Sequence, residues 1–285
     1  MYLSLSVRIA EAATKDRMTM PFDDFVELAQ QSGYRAVCVR ASAGGVQSTT
    51  EELAAMRTRL DAAGLAVSMV TTDFDVPLNN AQGPNNLRDF ASHLDVADAL
   101  GAKLIRICMK QPDDVAWAQR SADAARERGI AIAHQCHTDS LFEQIHPMLR
   151  LVAEIDRENF GIIYEPANLM LCGESYDEDA LKRLAPHLMN VYLQNHRLAN
   201  DGDCALPTRC RGEVRYFDIP LWEPNGVDFE AVFDGLRAIG YDGSVTVHQA
   251  FAKLTGPEEA ATKSHAFRSR WVETAGQAGR SAKSK

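Results

Sequence analysis

The chain has 285 residues, of which 46% are hydrophobic and 24% are charged, and its formal net charge is −9 at neutral pH. A chain of this size can bury a large core, either in one barrel-sized domain or in two small ones. The negative charge argues against binding to duplex nucleic acid, which requires a basic face to replace condensed counterions. No run of about 18 apolar residues occurs, so no membrane span is predicted.

The amino terminus and the cysteines indicate a cellular compartment. The opening YLSLSV lacks the basic, apolar and cleavage regions of a secretory signal. The six cysteines are scattered without a C-x-x-C pair, and several lie in apolar runs where cysteine acts as a small hydrophobic residue. We therefore expect reduced thiols in a cytoplasmic protein. Cys204 and Cys210 share one polar segment and are the pair to watch.

Short apolar runs alternate along the chain with longer segments of helical period. Eight runs are predicted to be strands: 3–7, 36–40, 66–71, 103–109, 130–135, 160–165, 189–194 and 244–248. Among the helical stripes between them, a clear one contains Leu141, Ile145, Met148, Leu149, Val152 and Ile155. A glycine follows several of the predicted helices, immediately before the next strand.

Eight strands, each followed by a helix or a helix-length segment, predict a (β/α)8 barrel of the α/β class. A doubly wound open sheet is the alternative, but no G-x-G-x-x-G sequence follows the first strand, so a dinucleotide-binding version has no support. We expect one TIM-barrel domain over residues 1–275. The small, polar and basic segment 276–285 is predicted to be a disordered tail.

The strand ends carry the candidate functional residues, because TIM barrels place their chemistry at the C-terminal ends of the strands. Histidine and amide side chains are concentrated at the ends of successive strands, and Glu165 is the one carboxylate among them. If Gln135 points into the barrel, an extended chain sends His137 inward too, whereas His134 and Cys136 face the helices. The histidines expected to be structural or solvated are His93, His146, His187 and His265.

Glu165 and His248 each have a functional and a structural interpretation. A carboxylate at the end of a buried strand needs a partner or a metal, so Glu165 is a candidate site residue; a salt bridge to Arg40 or Arg106 is the alternative. His248 ends the run SVTVH and is a candidate base or metal ligand, because neutral imidazole suits both tasks. The alternative for His248 is an ordinary hydrogen-bonded residue at the rim.

The segment 196–227 has no clear periodicity, and loops of this length are commonly lids or binding loops. Within it, Arg211 is a candidate for gripping a carboxylate or phosphate, or it pairs only with Glu213. The chain shows no glycine-rich phosphate loop, no G-x-S-x-G turn and no cysteine–histidine dyad.

Several segments together resemble the sugar phosphate isomerase/epimerase superfamily, the xylose isomerase-like TIM barrels. The resemblance runs along nearly the whole chain. Its segments are GYRAVCVR (33–40), LGAKLIR (100–106), QCH (135–137) leading to LFE (141–143), YEPAN (164–168), VYLQN (191–195), RGE (211–213) before VDF (227–229), and GYDGSVTVH (240–248). Each segment is a weak signal alone, but their order and spacing indicate this fold family.

The resemblance breaks at the catalytic positions. Members of that family typically bind a divalent metal through two glutamates and further acidic or histidine ligands, and epimerases use the two glutamates as an acid/base pair. The matching positions here hold Gln135, Glu165, Tyr192 and His248. Because glutamine cannot exchange a proton at neutral pH, a two-glutamate mechanism cannot operate in this chain.

The resemblance implies an isomerase or epimerase that acts on a sugar, a sugar phosphate or a polyol-derived carbonyl compound. It implies catalytic roles for His248, Glu165 and His137. The implied substrate-binding residues are Arg40, Gln135, Asn168, Gln194 and Arg211. A divalent metal is also implied, with the ligands Glu165, His248, Gln135 and His196; one carboxylate among neutral donors suits Zn²⁺, Mn²⁺ or Fe²⁺ better than Mg²⁺.

The resemblance also implies a binding partner, and alternative functions stay open. The implied partner is a small carbohydrate-like substrate, and the implied assembly is a homo-oligomer, by analogy with the family. A lyase or dehydratase on a similar substrate is the enzymatic alternative. A carbohydrate-binding barrel that has lost its metal is the non-catalytic alternative. An abasic-site endonuclease would require a fuller set of metal ligands and a basic groove, which the chain does not show.

Overall fold

A computed structural model describes residues 1–71, 81–251 and 253–281. The strands are β1 (Tyr2–Ser6), β2 (Ala36–Arg40), β3 (Ala66–Thr71), β4 (Leu104–Ile107), β5 (Ala131–Gln135), β6 (Phe160–Tyr164), β7 (Leu188–Leu193), β8 (His196–Leu198), β9 (Cys204–Thr208), β10 (Gly212–Asp218) and β11 (Ser244–Val247). The helices are α1 (Phe22–Gln31), α2 (Thr50–Ala62), α3 (Phe90–Leu100), α4 (Asp114–Glu127), α5 (Ile145–Ile155), α6 (Pro166–Leu171), α7 (Glu178–Leu184), α8 (Phe229–Ala238) and α9 (Pro257–Ser281).

Eight parallel strands form a closed barrel in the order β1-β11-β7-β6-β5-β4-β3-β2. Each predicted strand is present, and β2 and β3 span the predicted residues 36–40 and 66–71. The parallel pairing of β1 with β11, for example Leu3 beside Val245, closes the sheet. The (β/α)8 prediction is therefore confirmed, and the open-sheet alternative is wrong.

The domain limits of 1–275 stay a prediction. Helix α9 extends to Ser281, into the segment 276–285 that the sequence assigns to a tail, and residues 282–285 lie outside the described part. A search for membrane spans found no helix, among the described residues, with the length and apolar character to cross a bilayer.

Two buried layers hold the barrel together. Outward-facing side chains of the strands pack against the surrounding helices, and α5 contributes Ile145, Met148, Val152 and Ile155 to this layer. The barrel interior contains a second cluster, made of Cys38, Met69, Leu104, Ala133, Ile163 and Tyr192. Because alternate residues of a strand share a face, the side chains two positions later also point inward, at the C-terminal end of the barrel. Those side chains are Arg40, Thr71, Arg106, Gln135, Glu165 and Gln194.

The segment 196–227 is not the irregular loop that the sequence indicated. It contains a three-stranded antiparallel sheet in the order β8-β10-β9. Its short strands are largely polar and half exposed, so they lack the apolar alternation that marks a strand in sequence. The small sheet stands beside the C-terminal end of the barrel and contributes one wall of the cavity there.

Asn195 attaches this added segment to the barrel. Its side-chain nitrogen donates to the carbonyls of Pro220 and Glu223, each at 2.9 Å, and its side-chain oxygen accepts from the amide of Val227. Gln249 adds three further bonds, because its side-chain oxygen accepts from the amide of Asn195 and its nitrogen donates to the carbonyls of Asn195 and Ile219. The fully buried Asn195 therefore fixes the path of the chain between β7 and α8.

Replacing Asn195 by alanine should lower the free energy of unfolding by about 2–4 kcal/mol, because three buried backbone groups lose their partner. Urea unfolding followed by circular dichroism measures the change. The matched control is Asn200→Ala, which removes the same amide from an exposed position and should change stability by less than about 0.5 kcal/mol. Equal stability of the two variants would show that Asn195 is not the anchor.

Candidate active site

A cavity of about 360 Å³ opens at the C-terminal end of the barrel. Its lining combines strand-end residues with residues of the small sheet: Arg8, Lys15, Arg40, Arg106, Gln135, His137, Thr138, Asp139, Asn168, Gln194, His196, Leu206, Pro207, Tyr216, Asp218, His248 and Ala250. The structure thus brings together most of the predicted site residues, although they come from distant parts of the chain. This is the end at which TIM barrels carry their active sites.

Glu165 lies directly beneath this lining and is fully buried. The side-chain amides of Gln135 and Gln194 each donate a hydrogen bond to it, one to Oε2 and one to Oε1. Burial raises the pKa of Glu165 to about 8, against the lowering effect of Gln194 and of Arg106. The group is therefore mainly a neutral acid at pH 7, and it is able to donate a proton.

The histidines of the cavity floor are unprotonated at neutral pH. Burial, followed by the positive charges of Arg40 and Arg106, holds the pKa of His248 well below its usual value. Burial and Arg106 lower the pKa of His137 to about 3. The ring of His248 stacks on Tyr192 with centroids 3.7 Å apart, and its Nδ1 lies 3.0 Å from Ser6 Oγ.

The hydrogen bonds define which ring nitrogen of His137 faces a ligand. Nδ1 of His137 lies 2.8 Å from the carbonyl oxygen of Thr138, which only accepts hydrogen bonds. Nδ1 therefore carries the proton, and Nε2 keeps its lone pair. His137 is thus able to accept a hydrogen bond or a proton through Nε2.

His196 occupies a different environment at the edge of the small sheet. Its Nδ1 lies 2.8 Å from a carboxylate oxygen of Asp218, and its ring contacts Tyr216 at a centroid distance of 4.4 Å. Asp218 and Tyr216 could not be recognised as site residues while their segment was predicted to be a loop. The antiparallel register pairs Asp218 with His196, and Tyr216 lies two residues earlier on the same strand, opposite Leu198.

Arg40 does not pair with Glu165, as the structural alternative proposed, but with Glu11. Glu11 is buried and accepts hydrogen bonds from Arg40 Nε at 2.7 Å, from Arg8 Nη1 at 2.9 Å and from Ser42 Oγ at 2.7 Å. Burial alone would raise the pKa of Glu11, but Arg40 and Arg8 together hold it below its usual value. Glu11 carries no signal of a site residue in the sequence, because it follows a short 3-10 turn rather than a strand end.

Arg211 is the predicted site residue that the structure does not bring to the cavity. Its Nη1 donates to the carbonyl of Leu171, and its side chain contacts Gly173 on the other side of the small sheet. We therefore remove Arg211 from the candidate site. His134 is likewise separate from it: it is fully buried and stacks on Phe142 with centroids 4.1 Å apart, as side-chain alternation predicted.

Asn168 and Gln194 occupy the positions expected of substrate contacts. Both line the cavity, and Asn168 Nδ2 donates to the carbonyl of Cys136 at 2.9 Å. That bond fixes the amide and turns its oxygen away from the carbonyl of Cys136. Asn168 also contributes a hydrogen bond to Glu165 that favours the ionised carboxylate, although burial outweighs it.

A second cavity, of about 570 Å³, lies at the opposite end of the barrel and is larger. Its lining includes Leu3, Arg35, Tyr241 and His265, which belong to strand starts and to α9. The N-terminal end of a TIM barrel serves stability rather than catalysis. We therefore assign the chemistry to the smaller cavity, where the neutral acid and the imidazoles meet.

The predicted metal ligands Glu165, His248, Gln135 and His196 do not fit a divalent cation as a set. Both oxygens of Glu165 accept amide N–H groups, and Gln135 presents its nitrogen, not its oxygen, to Glu165. The nearby guanidinium groups of Arg40 and Arg106 would repel a divalent metal ion. The donor geometry therefore does not support the predicted metal site, and no chemical step is assigned to a metal.

One other cluster has the residue types of a metal site. Within the described residues, the search for three or more grouped His, Cys, Asp or Glu ligands found Glu143, Cys172 and Cys210, with donor atoms within 4.8 Å of one another. The carboxylate of Glu143 already accepts backbone N–H groups of Asp139, Arg209 and Cys210. These bonds attach the turn of the small sheet to the barrel. Cys210 thus lies beside Cys172 rather than Cys204, and all six cysteines are free.

The fold and this cavity define a class of protein: a TIM barrel with a polar cavity at the C-terminal end of its strands. The chain belongs to the xylose isomerase-like TIM barrel family, whose sequence model matches residues 26–271. The fold and family predictions are therefore confirmed. A search of curated proteins gave no significant match.

Solved structures with the same fold include enzymes of more than one type. The probable 3-DHS dehydratase AsbF from Bacillus anthracis has a TM-score of 0.72 and 15% identity, with 94% of this chain and 99% of that chain covered. An L-ribulose 3-epimerase has a TM-score of 0.71 and 14% identity, with coverages of 100% and 98%. A xylose isomerase-like TIM barrel protein from Mycobacterium smegmatis in complex with magnesium has a TM-score of 0.69 and 14% identity, with coverages of 96% and 97%. At these sequence identities, the structural similarity shows a shared fold and nothing more.

Replacing Glu11 by glutamine should lower the free energy of unfolding by about 3–5 kcal/mol, because two buried guanidinium groups lose their shared carboxylate. Chemical denaturation at neutral pH measures the loss. Glu27→Gln, which makes the same change at an exposed position of α1, serves as the control and should have little effect. A loss below about 1 kcal/mol would show that other groups balance the charges of Arg8 and Arg40.

The raised pKa of Glu165 predicts a particular pH dependence of stability. Between the usual carboxyl pKa of 4.5 and about 8, the folded state keeps a proton that the unfolded state has released. The stabilising contribution is complete below about pH 4.5 and is lost as the pH rises through about 8. As the pH rises from about 5 to 8.5, the free energy of unfolding of Glu165→Gln should therefore fall by a few kcal/mol less than that of the wild type.

Urea unfolding across this pH range tests the prediction, with Glu154→Gln, an exposed residue of α5, as the control. The histidines of the cavity are present in all three proteins, so their contribution cancels in the comparison. Parallel pH profiles for the wild type and Glu165→Gln would contradict a raised pKa.

Proposed function

We propose that the protein is an enzyme that moves a proton on the carbon next to a carbonyl group, as a sugar isomerase or epimerase does. The observation that carries the proposal is geometric: a buried carboxyl group, Glu165, lies directly beneath a cavity that is lined by the imidazoles of His137 and His248. Burial raises the pKa of Glu165 and lowers the pKa of both histidines, which favours the protonated carboxyl group and the neutral imidazoles. Acid–base catalysis of this type needs one group that accepts a proton and another that donates one. The relatives that are epimerases add support at the level of the family.

In this proposal His248 takes the proton from the substrate carbon, and Glu165 donates its proton to the carbonyl oxygen, giving an enediol. Protonated His248 then returns its proton to the neighbouring carbon, and the Glu165 carboxylate takes a hydroxyl proton as the new carbonyl forms, which completes isomerisation. Epimerisation follows the same balance when the proton reaches the other face of the original carbon from solvent. His137 is a second proton acceptor, because its Nε2 has a lone pair. Gln135 and Gln194 hold the carboxyl group of Glu165 in position, and Asn168 contacts the substrate hydroxyl groups.

A dehydratase is the second candidate, because the same proton abstraction can be followed by the loss of water. A specific observation favours it: one buried carboxyl group, Glu165, lies directly beneath the cavity, and its raised pKa suits it to protonate a leaving hydroxyl group. Epimerisation by a symmetric pair would need two similar groups on opposite faces of the substrate, and the glutamate partner is absent at Gln135. The fold relative described as a probable dehydratase is consistent with this candidate.

Solvent exchange tests the proposal directly. Purified protein is incubated in D₂O with a panel of hydroxy-carbonyl compounds, both neutral and anionic, and proton NMR follows deuterium incorporation beside the carbonyl. Exchange with a rearranged or epimerised product identifies an isomerase or epimerase, whereas an unsaturated carbonyl product identifies a dehydratase. Absence of exchange with binding of a carbohydrate would favour a non-catalytic barrel.

Glu165→Gln and His248→Gln should each lower the exchange rate by about 10²–10⁴-fold, because each removes one partner of the proton transfer. The controls are Glu154→Gln and His146→Gln, which make the same changes at exposed positions of α5 and should keep wild-type rates. The wild-type rate should fall as the pH rises above about 8, because Glu165 loses its proton there. Wild-type rates in either site variant would contradict the assigned roles.

Metal analysis of the active protein completes this test. We propose that exchange persists after treatment with a chelator, because the donor geometry around Glu165 does not suit a divalent cation. Stoichiometric Zn²⁺, Mn²⁺ or Fe²⁺ whose removal abolishes exchange would restore the metal-assisted mechanism implied by the family. A cytoplasmic location and a homo-oligomer remain part of the proposal.

A further inference from the structure

One wall of the cavity is rich in cationic side chains. Arg8, Lys15, Arg40 and Arg106 all line it. Arg40 and Arg106 are almost completely buried, and the side chain of Arg8 is 16% exposed. Glu11 accepts from Nη1 of Arg8 and from Nε of Arg40, which uses one of the five N–H donors of each guanidinium group. Both arginines therefore keep donors for a ligand.

The described carboxylates around the cavity offset this wall only in part. Asp139 pairs with Lys110 and Arg209 outside the wall. Burial raises the pKa of Glu165 to about 8, which favours its protonated form at neutral pH. Among the residues described, Glu11 is shared by Arg8 and Arg40, and Asp218 acts on Arg8 from the small sheet, so the cations of the wall still outnumber the ionised carboxylates beside them.

Lys15 adds a further cation to the same wall. It lies in the tight turn 12–17, in which its amide donates to the carbonyl of Ala12 and its φ is 62°. Its side chain lines the cavity, and no carboxylate of the described ranges lies within ion-pair distance of it. Burial, then Arg8 and Arg40, lower its pKa to about 8. A cation is thus held close to other cations, where it faces the cavity.

We propose that the substrate carries an anionic group, a carboxylate or a phosphate, that binds between Lys15, Arg8 and Arg40. This inference rests on the proposed function for the remainder of the substrate, whose carbonyl and hydroxyl groups face Glu165, His248 and Asn168. Guanidinium groups bind planar or tetrahedral anions through paired N–H donors, and lysine adds a point charge. The cationic wall thus favours a negatively charged substrate, and the other sides of the cavity offer amides and imidazoles.

The same wall explains why the cavity is unsuited to a divalent cation. The Mycobacterium smegmatis relative was solved in complex with magnesium, whereas in this chain the guanidinium groups of Arg106 and Arg8 act on the strand-end carboxyl group of Glu165. A positive wall stabilises negative charge that develops on a carbonyl oxygen during proton abstraction. The arginines therefore serve both to bind the anionic group and to stabilise the enediolate.

Three ligands with the same six-carbon chain test the proposal: D-gluconate, D-glucitol 6-phosphate and neutral D-glucitol. Calorimetric titration at low ionic strength should give at least about tenfold tighter binding for one or both anions than for D-glucitol, the difference expected for a charge-assisted hydrogen bond. The anion that binds more tightly identifies the source of the charge as a carboxylate or a phosphate.

Lys15→Met should weaken binding of the preferred anion by about ten- to a hundredfold and leave D-glucitol binding unchanged. Lys182→Met, which removes a lysine from the exposed surface of α7, is the matched control and should bind like the wild type. Circular dichroism and urea unfolding confirm that both variants are folded. Equal affinities for the anions and D-glucitol, equal affinities of the wild type and Lys15→Met, or no detectable anion binding would overturn the proposal.

These results are separable from the test of the proposed function. Proton exchange on neutral compounds without preference for anions would contradict the anionic substrate and keep the enzyme assignment. Tight, Lys15-dependent binding of an anion without exchange on any member of the panel would keep the anion site and contradict the enzyme assignment.

Discussion

The buried carboxylate of Glu11 is the interaction on which the candidate site depends. Arg8 follows the first barrel strand and Arg40 ends the second, so their guanidinium groups meet at the floor of the cavity. Two such groups are stable in a buried position only when a counter-charge lies within hydrogen-bonding distance. Glu11 supplies it to both, and Ser42 supports the carboxylate. The positive charge at the cavity floor and the orientation of Arg40 follow from this arrangement.

Side-chain alternation made much of the site predictable, and it also explains the omissions. Gln135, Glu165 and His248 end apolar runs whose inward faces are evident in the sequence. Arg106 obeys the same rule, two residues after the inward-facing Leu104, but the predicted strand 103–109 was too long and concealed its position near the end. Glu11 could not be found in this way, because its place depends on the pairing of two arginines in three dimensions.

The role of Gln135 shows where the family resemblance was insufficient. The resemblance identifies the position as one that usually carries a metal-binding glutamate, and Gln135 was therefore predicted to be a ligand. In the structure the amide of Gln135 donates to Glu165, which a glutamate could do only if it were protonated. Gln135 therefore does not supply the second carboxylate that a shared cation would need, and its amide holds Glu165 instead. The polarity of a single hydrogen bond decides between these outcomes, and the sequence does not encode it locally.

The cationic wall and the histidines form one electrostatic system. In the free protein, burial and the nearby arginines keep His248 and His137 unprotonated, and the pKa of His137 is about 3. A base of such low pKa accepts a proton from carbon poorly. A bound anion offsets the positive charge and raises the pKa of both rings, so the histidines become stronger bases when the proposed substrate occupies the cavity. A neutral sugar would leave the field of Arg40 and Arg106 in place. Charge recognition and proton abstraction would then be coupled through the same arginines, and selectivity for anions would appear in the rate of turnover as well as in binding.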